Sequence, residues 1–367
     1  MNKRFITALG LTAALSLSAC AANEITDPGT TNTSGTGSTS DAPAGLSGTL
    51  AGKGATSAKV AQETWIAAFQ TANPAVTINY SPDGSGAGRE AFMGGGADFA
   101  GSDRALKIDE NVAGAFAGCA DTSAAIDVPI YVSPIAVIFN LDGVTELHLT
   151  PEVLAKIFHG DITNWNDPAI AAINAGVTFP DLTITAVHRS DKSGTTGNFT
   201  DYLAVAAKDV WTGGSVEEWP LPGGEAAKGT SGVVAAVTGG AGTIGYADAS
   251  QAGTASVAKV GPDGAFELPT EEAAMAAIEA SPLEEGRADG DIAIALDRTA
   301  SGYPLVLVSY GIACAEYKDA AVGGLVREYL TYVASEEGQQ AAAESAGSAP
   351  LSATLRDKVL AAVATIK

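Results

Sequence analysis

Arg189-Ser190-Asp191-Lys192-Ser193-Gly194-Thr195-Thr196 brings a guanidinium, a carboxylate, several hydroxyls and a glycine into one short run. An apolar, β-rich stretch, Leu182-Thr183-Ile184-Thr185-Ala186-Val187, precedes it, and Phe199, Tyr202, Leu203 and Ala206 follow at helical spacing. A strand that turns into a helix start presents backbone N–H groups with no intrahelical partner, which suit an anion. The arginine adds a planar fork that matches phosphate or carboxylate. The stretch reads as half of an oxyanion site on an α/β scaffold.

Two turns upstream share this design. Gly54-Ala55-Thr56-Ser57 precedes a helix over 58–71, with Ala61, Trp65, Ala68 and Phe69 on one face and Thr56 or Ser57 as the N-cap. Gly84-Ser85-Gly86-Ala87-Gly88 follows the alternating strand Val76-Thr77-Ile78-Asn79-Tyr80 and opens a second helix. Each turn alone reads equally as an ordinary cap. Three together, with Arg189, supply the many donors that a tetrahedral anion needs.

The chain continues as strand–turn–helix units, so the fold class is α/β and doubly wound, with ligands at the C-terminal strand ends. Asp98-Phe99-Ala100-Gly101 is a short strand ending at Ser102-Asp103, and 130–140 is a buried strand. Thr150 caps a helix with Pro151 at its first position. Tyr303 to Tyr310 is a further strand, and a helical tail runs from Leu325 to Val359.

Asp103 and Asp191 stand out beside an anion. A carboxylate next to phosphate is unfavourable unless the ligand carries a proton that it can donate. Phosphate near neutral pH has such a P–OH and sulfate has none, so a buried acceptor rejects sulfate by leaving a charge unpaired. Asp191 has a second reading, as the partner that fixes the Arg189 plane. Asp103 could instead cap a helix containing Leu106 and Ile108.

The remainder of the sequence sets the context. Lys3 and Arg4, an apolar run from Phe5 to Leu17 and the ending Leu17-Ser18-Ala19-Cys20 form an export signal over 1–19. The ending resembles a bacterial lipobox, which makes Cys20 the lipidated first residue of the mature chain. Residues 20–45, rich in Thr, Ser and Gly, read as a flexible tether. In the 367-residue chain, a formal charge of −22 argues against nucleic acid or an anionic membrane surface as partner. Cys119 and Cys314 remain after Cys20, an even pair that suggests one disulfide in an exported protein, with two buried thiols as the alternative.

From residue 46 to the end the motifs resemble those of the phosphate-binding proteins of bacterial high-affinity phosphate ABC transporters. The matching segments are Ala51 to Thr56, Gly84-Ser85-Gly86, Asp98 to Asp103, Ile162-Thr163-Asn164-Trp165, Arg189 to Thr195 and Gly245-Tyr246. The resemblance implies a two-lobed periplasmic-binding-protein fold with a two-crossing hinge. Lobe one would comprise 46–129 and 304–367 and lobe two 130–303, so both cysteines fall in lobe one. It further implies phosphate contacts from Thr56, Ser57, Ser85, Gly86, Asp103, Arg189, Ser193, Gly194 and Thr195, with Asp191 behind Arg189. Serine at 57 stands where many members carry an aromatic residue, and Lys192 where glycine is common. The expected partners are inorganic phosphate and an ABC permease, with the chain a monomer lipid-anchored to the outer face of the cell membrane and without cofactor or metal.

Competing readings are weaker. Catalysis by Ser193 lacks a recognisable histidine partner, and the spacing of His148, His159 and His188 fits no metal motif. Gly52-Lys53 lacks the Ser or Thr of a P-loop. Sulfate, molybdate or a phosphonate on the same fold is the nearest rival, and surface adhesion or signalling is a further role for the same scaffold.

Overall fold

The computed structural model describes residues 45–367. The expected export signal, Cys20 and nearly all of the tether lie outside the described residues. No helix among the described residues is long and apolar enough to cross a membrane.

The strands are β1 (Gly48–Gly54), β2 (Val76–Ser81), β3 (Phe99–Ser102), β4 (Ala125–Asn140), β5 (His148–Leu149), β6 (Thr185–Arg189), β7 (Glu225–Ala227), β8 (Thr243–Asp248), β9 (Ser256–Val257), β10 (Lys259–Val260) and β11 (Val306–Cys314). The helices are α1 (Lys59–Ala72), α2 (Ser85–Met93), α3 (Pro151–His159), α4 (Pro168–Ala172), α5 (Gly194–Ala206), α6 (Gly229–Gly239), α7 (Glu271–Glu279), α8 (Ala320–Ala334), α9 (Glu336–Ala346) and α10 (Ala353–Val363). The main sheet has the order β2-β1-β3-β11-β4-β8-β6-β7. β2, β1 and β3 run parallel at one end, as do β8, β6 and β7 at the other. Antiparallel β11 and β4 join the two groups.

β4 explains how one sheet serves two halves. Its first part, through Pro134, pairs with β11, and from Ile135 it pairs with β8. All of its residues except Asn140 are buried, as its near-continuous apolar sequence requires. Proline cannot donate to a ladder and is tolerated at bulges. Accordingly Pro129 stands at the register shift opposite Ser309 and Tyr310, and Pro134 where the partner changes.

Local chemistry sets the helix ends. The Thr150 hydroxyl accepts from Val153 N, Pro151 follows, and Gly160 at φ 89° closes α3. The apolar residues Val153, Leu154, Ile157 and Phe158 then face the core. α5 is capped by Ser193, which accepts from Thr196 N.

The core joins two aromatic groups, each behind one set of helix starts. Trp65 meets Tyr131 edge-on at 6.5 Å, and Phe99 packs 5.4 Å from Tyr329. In the other half Phe199 of α5 stacks on Tyr246 of β8 at 4.2 Å. Cys119 and Cys314 form a disulfide with a Cα–Cα distance of 5.2 Å, tying the end of β11 to the chain before β4.

Several local expectations shift. The N-cap of α1 is Ala58 with no side-chain cap, because both preceding hydroxyls bond elsewhere: Thr56 to Thr230 and Ser57 to Asp103. No helix follows Asp103; the chain there is irregular and Asp127 Oδ1 accepts from Leu106 N. β4 starts at Ala125 rather than Ile130, and the strand expected from Tyr303 lies at Val306–Cys314. The tail is three helices, broken by the Ser335 cap and by Gly347 at φ 55°.

Candidate oxyanion-binding site

The three predicted turns converge at one place. β1 ends at Gly54 and hands the chain to Thr56-Ser57, β2 leads to Ser85 at the start of α2, and β6 ends at Arg189 before α5. β3 ends beside them at Ser102, which puts Asp103 in the middle.

Asp103 is the node. Its Oδ1 accepts from Ser57 Oγ at 2.6 Å and its Oδ2 from Thr195 Oγ1 at 3.1 Å. Its backbone N–H donates to Ser85 Oγ at 3.1 Å, and its carbonyl accepts from Asn198 Nδ2 at 2.7 Å. The residue is buried, and this burial raises its pKa above the ordinary carboxylate value. Hydrogen bonds from Ser57 and Thr195, the nearby Ser309 hydroxyl and the charge of Arg189 oppose the rise without cancelling it. A carboxyl group so placed suits shared possession of a proton.

Arg189 is 2% exposed. Its Nε donates to Asp191 Oδ1 at 2.7 Å and its Nη2 to Asp191 Oδ2, a bidentate pair that fixes the guanidinium plane. Among the described residues its Nη1 has no hydrogen-bond partner, so that edge of the fork is available. Asp191 Oδ1 also accepts from Gly229 N. Burial disfavours the Asp191 charge, but Arg189 and the Gly229 N–H outweigh it and hold the carboxyl below its ordinary range. Tyr246 pins the turn: its hydroxyl accepts from Arg189 N at 3.2 Å and bonds Thr196 Oγ1 at 2.7 Å.

Unpartnered donors come from all three turns. Among the described residues the N–H groups of Thr56, Ser57, Ser85, Gly194 and Thr195 have no hydrogen-bond partner, the last three because they begin helices. Ser193 uses its oxygen as an acceptor for Thr196 N, which leaves its own O–H free to donate. Gly194 permits the close approach, since a Cβ there would lie 2.6 Å from both Asp103 Cβ and Ser85 Oγ. Gly86 differs from the expectation in this arrangement. Its N–H donates to Lys192 O at 3.1 Å, so its role is close approach to the opposite segment. A cavity of about 750 Å³ opens against Asp103 and Gly194, with Arg104, Asn198 and Glu217 on its wall.

A model of the PBP superfamily domain matches residues 32–337. The phosphate-binding protein PstS 3 of Mycobacterium leprae is 37% identical over 289 residues, covering 77% of this chain and 78% of its own length. PstS 2 of Mycobacterium tuberculosis is 34% identical over 359 residues, covering 90% and 93%. This chain belongs to the PstS family. A solved high-affinity periplasmic phosphate-binding protein with bound phosphate shares its fold, with a TM-score of 0.69 at 26% identity over 86% of this chain and 93% of that one.

In this PstS-family chain, residues outside the expected set also bond the Thr56-Ser57 turn. Thr230 at the start of α6 bonds Thr56 through both hydroxyls at 2.9 Å, and its N–H donates to Thr56 Oγ1 at 3.2 Å. Gly229-Thr230-Ser231-Gly232 repeats the glycine-and-hydroxyl pattern of the other turns, a signal present in the sequence. Gln251 Nε2 donates to the carbonyls of Thr56 and Ser57, both at 2.8 Å. Ser309 Oγ lies close enough to Asp103 to favour its charge, and is buried with no hydrogen-bond partner among the described residues. No local pattern marks Gln251 or Ser309; only the topology brings them here.

Proposed function

We propose that this chain binds inorganic phosphate between two lobes and delivers it to an ABC permease. The observation that carries the reading is a buried carboxylate, Asp103, set among N–H and O–H donors and beside Arg189. Donors alone would suit any oxyanion; the acceptor selects one that retains a proton. The proposed contacts are Thr56, Ser57, Ser85, Asp103, Arg189, Ser193, Gly194 and Thr195, with Gly86 shaping the turn and Asp191 orienting Arg189. The PstS relatives are named for phosphate, which supports the same ligand.

The lobes in this reading meet where β4 changes partner, between Pro134 and Ile135, and the chain returns before β11. Hinge motion there would open and close the cleft. The reading is of a binder rather than an enzyme. In support, Ser193 is committed as a helix cap, and His188 is stacked on Trp219 at 4.8 Å with both ring nitrogens near backbone carbonyls. We place the mature chain as a monomer tethered through Cys20 to the outer face of the cell membrane.

Competition for labelled phosphate tests the ligand class. Arsenate, which also carries a proton near neutral pH, should displace phosphate, while sulfate and molybdate in large excess should not. Displacement by sulfate at concentrations similar to arsenate would reject the proton-based selection.

A further inference from the structure

Glu217 lies in an irregular stretch between α5 and β7, and no motif marks it. Its carboxylate is nonetheless held by two arginines from the opposite side of the cleft. Arg89 Nη2 donates to Oε2 at 2.5 Å, with the two side chains 4% and 13% exposed. Arg104 Nε reaches the same oxygen at 3.1 Å. Burial disfavours the Glu217 charge, yet the two arginines outweigh it and lower its pKa.

The connections at both ends run to the anion site. Arg89 sits one turn into α2 from Ser85, and its Nη1 donates to Ser102 Oγ at 2.6 Å. Ser102 Oγ in turn donates to Arg104 O, so the arginine grips the segment that carries Asp103. On the other side, the Glu217 backbone carbonyl accepts from the N–H of Ser193, the cap of α5, at 3.0 Å. One residue thus ties the Ser102-Asp103-Arg104 segment to the turn that presents Gly194 and Thr195.

We propose that Glu217 is a positioning residue whose ion pair with Arg89 and Arg104 forms on lobe closure and latches the cleft shut over the anion. The inference rests on the two-lobed closure reading above. The remaining oxygen, Oε1, is buried with no hydrogen-bond partner among the described residues. Such a pair is a poor device for static stability, since burying two charges costs much of what their attraction returns. Its value lies in geometry: the pair is complete only when both halves of the site are in place. Arg104 keeps a separate bidentate partner, Glu110, at 2.7 and 3.0 Å, so its own segment stays ordered when the latch opens.

The test is stopped-flow release and equilibrium titration of phosphate with the full chain, alongside thermal unfolding with and without phosphate. For Glu217→Gln we expect release to quicken about tenfold and the association rate to change by less than about threefold, as for a change confined to the bound state. Arg89→Glu should weaken phosphate further, and Arg89→Glu with Glu217→Arg should recover part of the loss. The unfolding temperature without phosphate should stay within about 2 °C of wild type, while the upshift caused by phosphate shrinks. A release rate unchanged by Glu217→Gln overturns the latch while leaving phosphate binding intact. So does equal destabilisation with and without phosphate, which marks Glu217 as merely structural. Absence of phosphate binding by the wild-type chain removes the functional reading, and the latch with it.

Discussion

Asp103→Asn is the most informative single change. It keeps the shape and leaves the backbone bonds to Ser85 and Asn198 in place. It removes the negative charge and turns one acceptor into a donor. That donor then faces Ser57 Oγ, Thr195 Oγ1 or the ligand. For phosphate, one charge-assisted hydrogen bond is lost, about 1.5–3 kcal/mol or roughly 10- to 150-fold in affinity. For sulfate, the same change removes an unpaired carboxylate charge. Sites that read a polar group discriminate by about 10⁴–10⁵ through this kind of mismatch, and the amide relieves much of it. The preference for phosphate over sulfate should therefore fall by at least about 10²-fold. Competition titrations at fixed pH measure both constants, and far-ultraviolet circular dichroism checks the fold. If the preference stays within about threefold of wild type, the proton-reading role of Asp103 is refuted.

Other outcomes follow from the same geometry. Arg189→Ala should weaken phosphate by at least about 100-fold and free Asp191 as an unpaired charge near the ligand; an unchanged isotherm would exclude Arg189 from the site. Replacing Cys119 and Cys314 with serine opens a loop of 195 residues. The chain-entropy model gives about 5 kcal/mol as an upper bound and typical bridges about 2–4, so urea unfolding should show a loss of about 3 kcal/mol; no change would mean that the bridge adds nothing. Asp248 is buried, and that burial lifts its pKa from 3.8 to about 7 despite bonds from Ser250 and Tyr131. The folded state then holds its proton more tightly than the unfolded state. The contribution is full below about pH 4 and is lost as pH rises through about 7, a span worth about 4 kcal/mol. Asp248→Asn should remove that slope, gaining about 4 kcal/mol on wild type between pH 4 and pH 8 in urea unfolding; parallel pH profiles would contradict it.

The parts of the fold legible in the sequence are those written locally. The run from Arg189 to Thr196 announces a strand end and a helix start, and Ser193 caps α5 in the structure. Thr150-Pro151 and the apolar run of β4 are equally plain. What could not be read depends on distant partners. Thr56 and Ser57 look like helix caps, yet their hydroxyls reach Thr230 and Asp103. Asp103 looks like a cap for a helix that does not form, because Leu106 N is taken by Asp127. Glu217 meets Arg89 across 128 positions of sequence, in a stretch with no periodicity to place it. Gly86 shows the limit of pattern reading, since its N–H serves the Lys192 carbonyl rather than remaining free.

The proposed selection of a protonated oxyanion rests on a buried carboxylate, Asp103, among donors. Isothermal calorimetry of the wild-type chain, freed of bound ligand and titrated with phosphate and then with sulfate, tests it most directly. Saturable 1:1 heat is expected with phosphate and none with sulfate at the same concentrations. Saturation by sulfate, or no heat with phosphate, would contradict it.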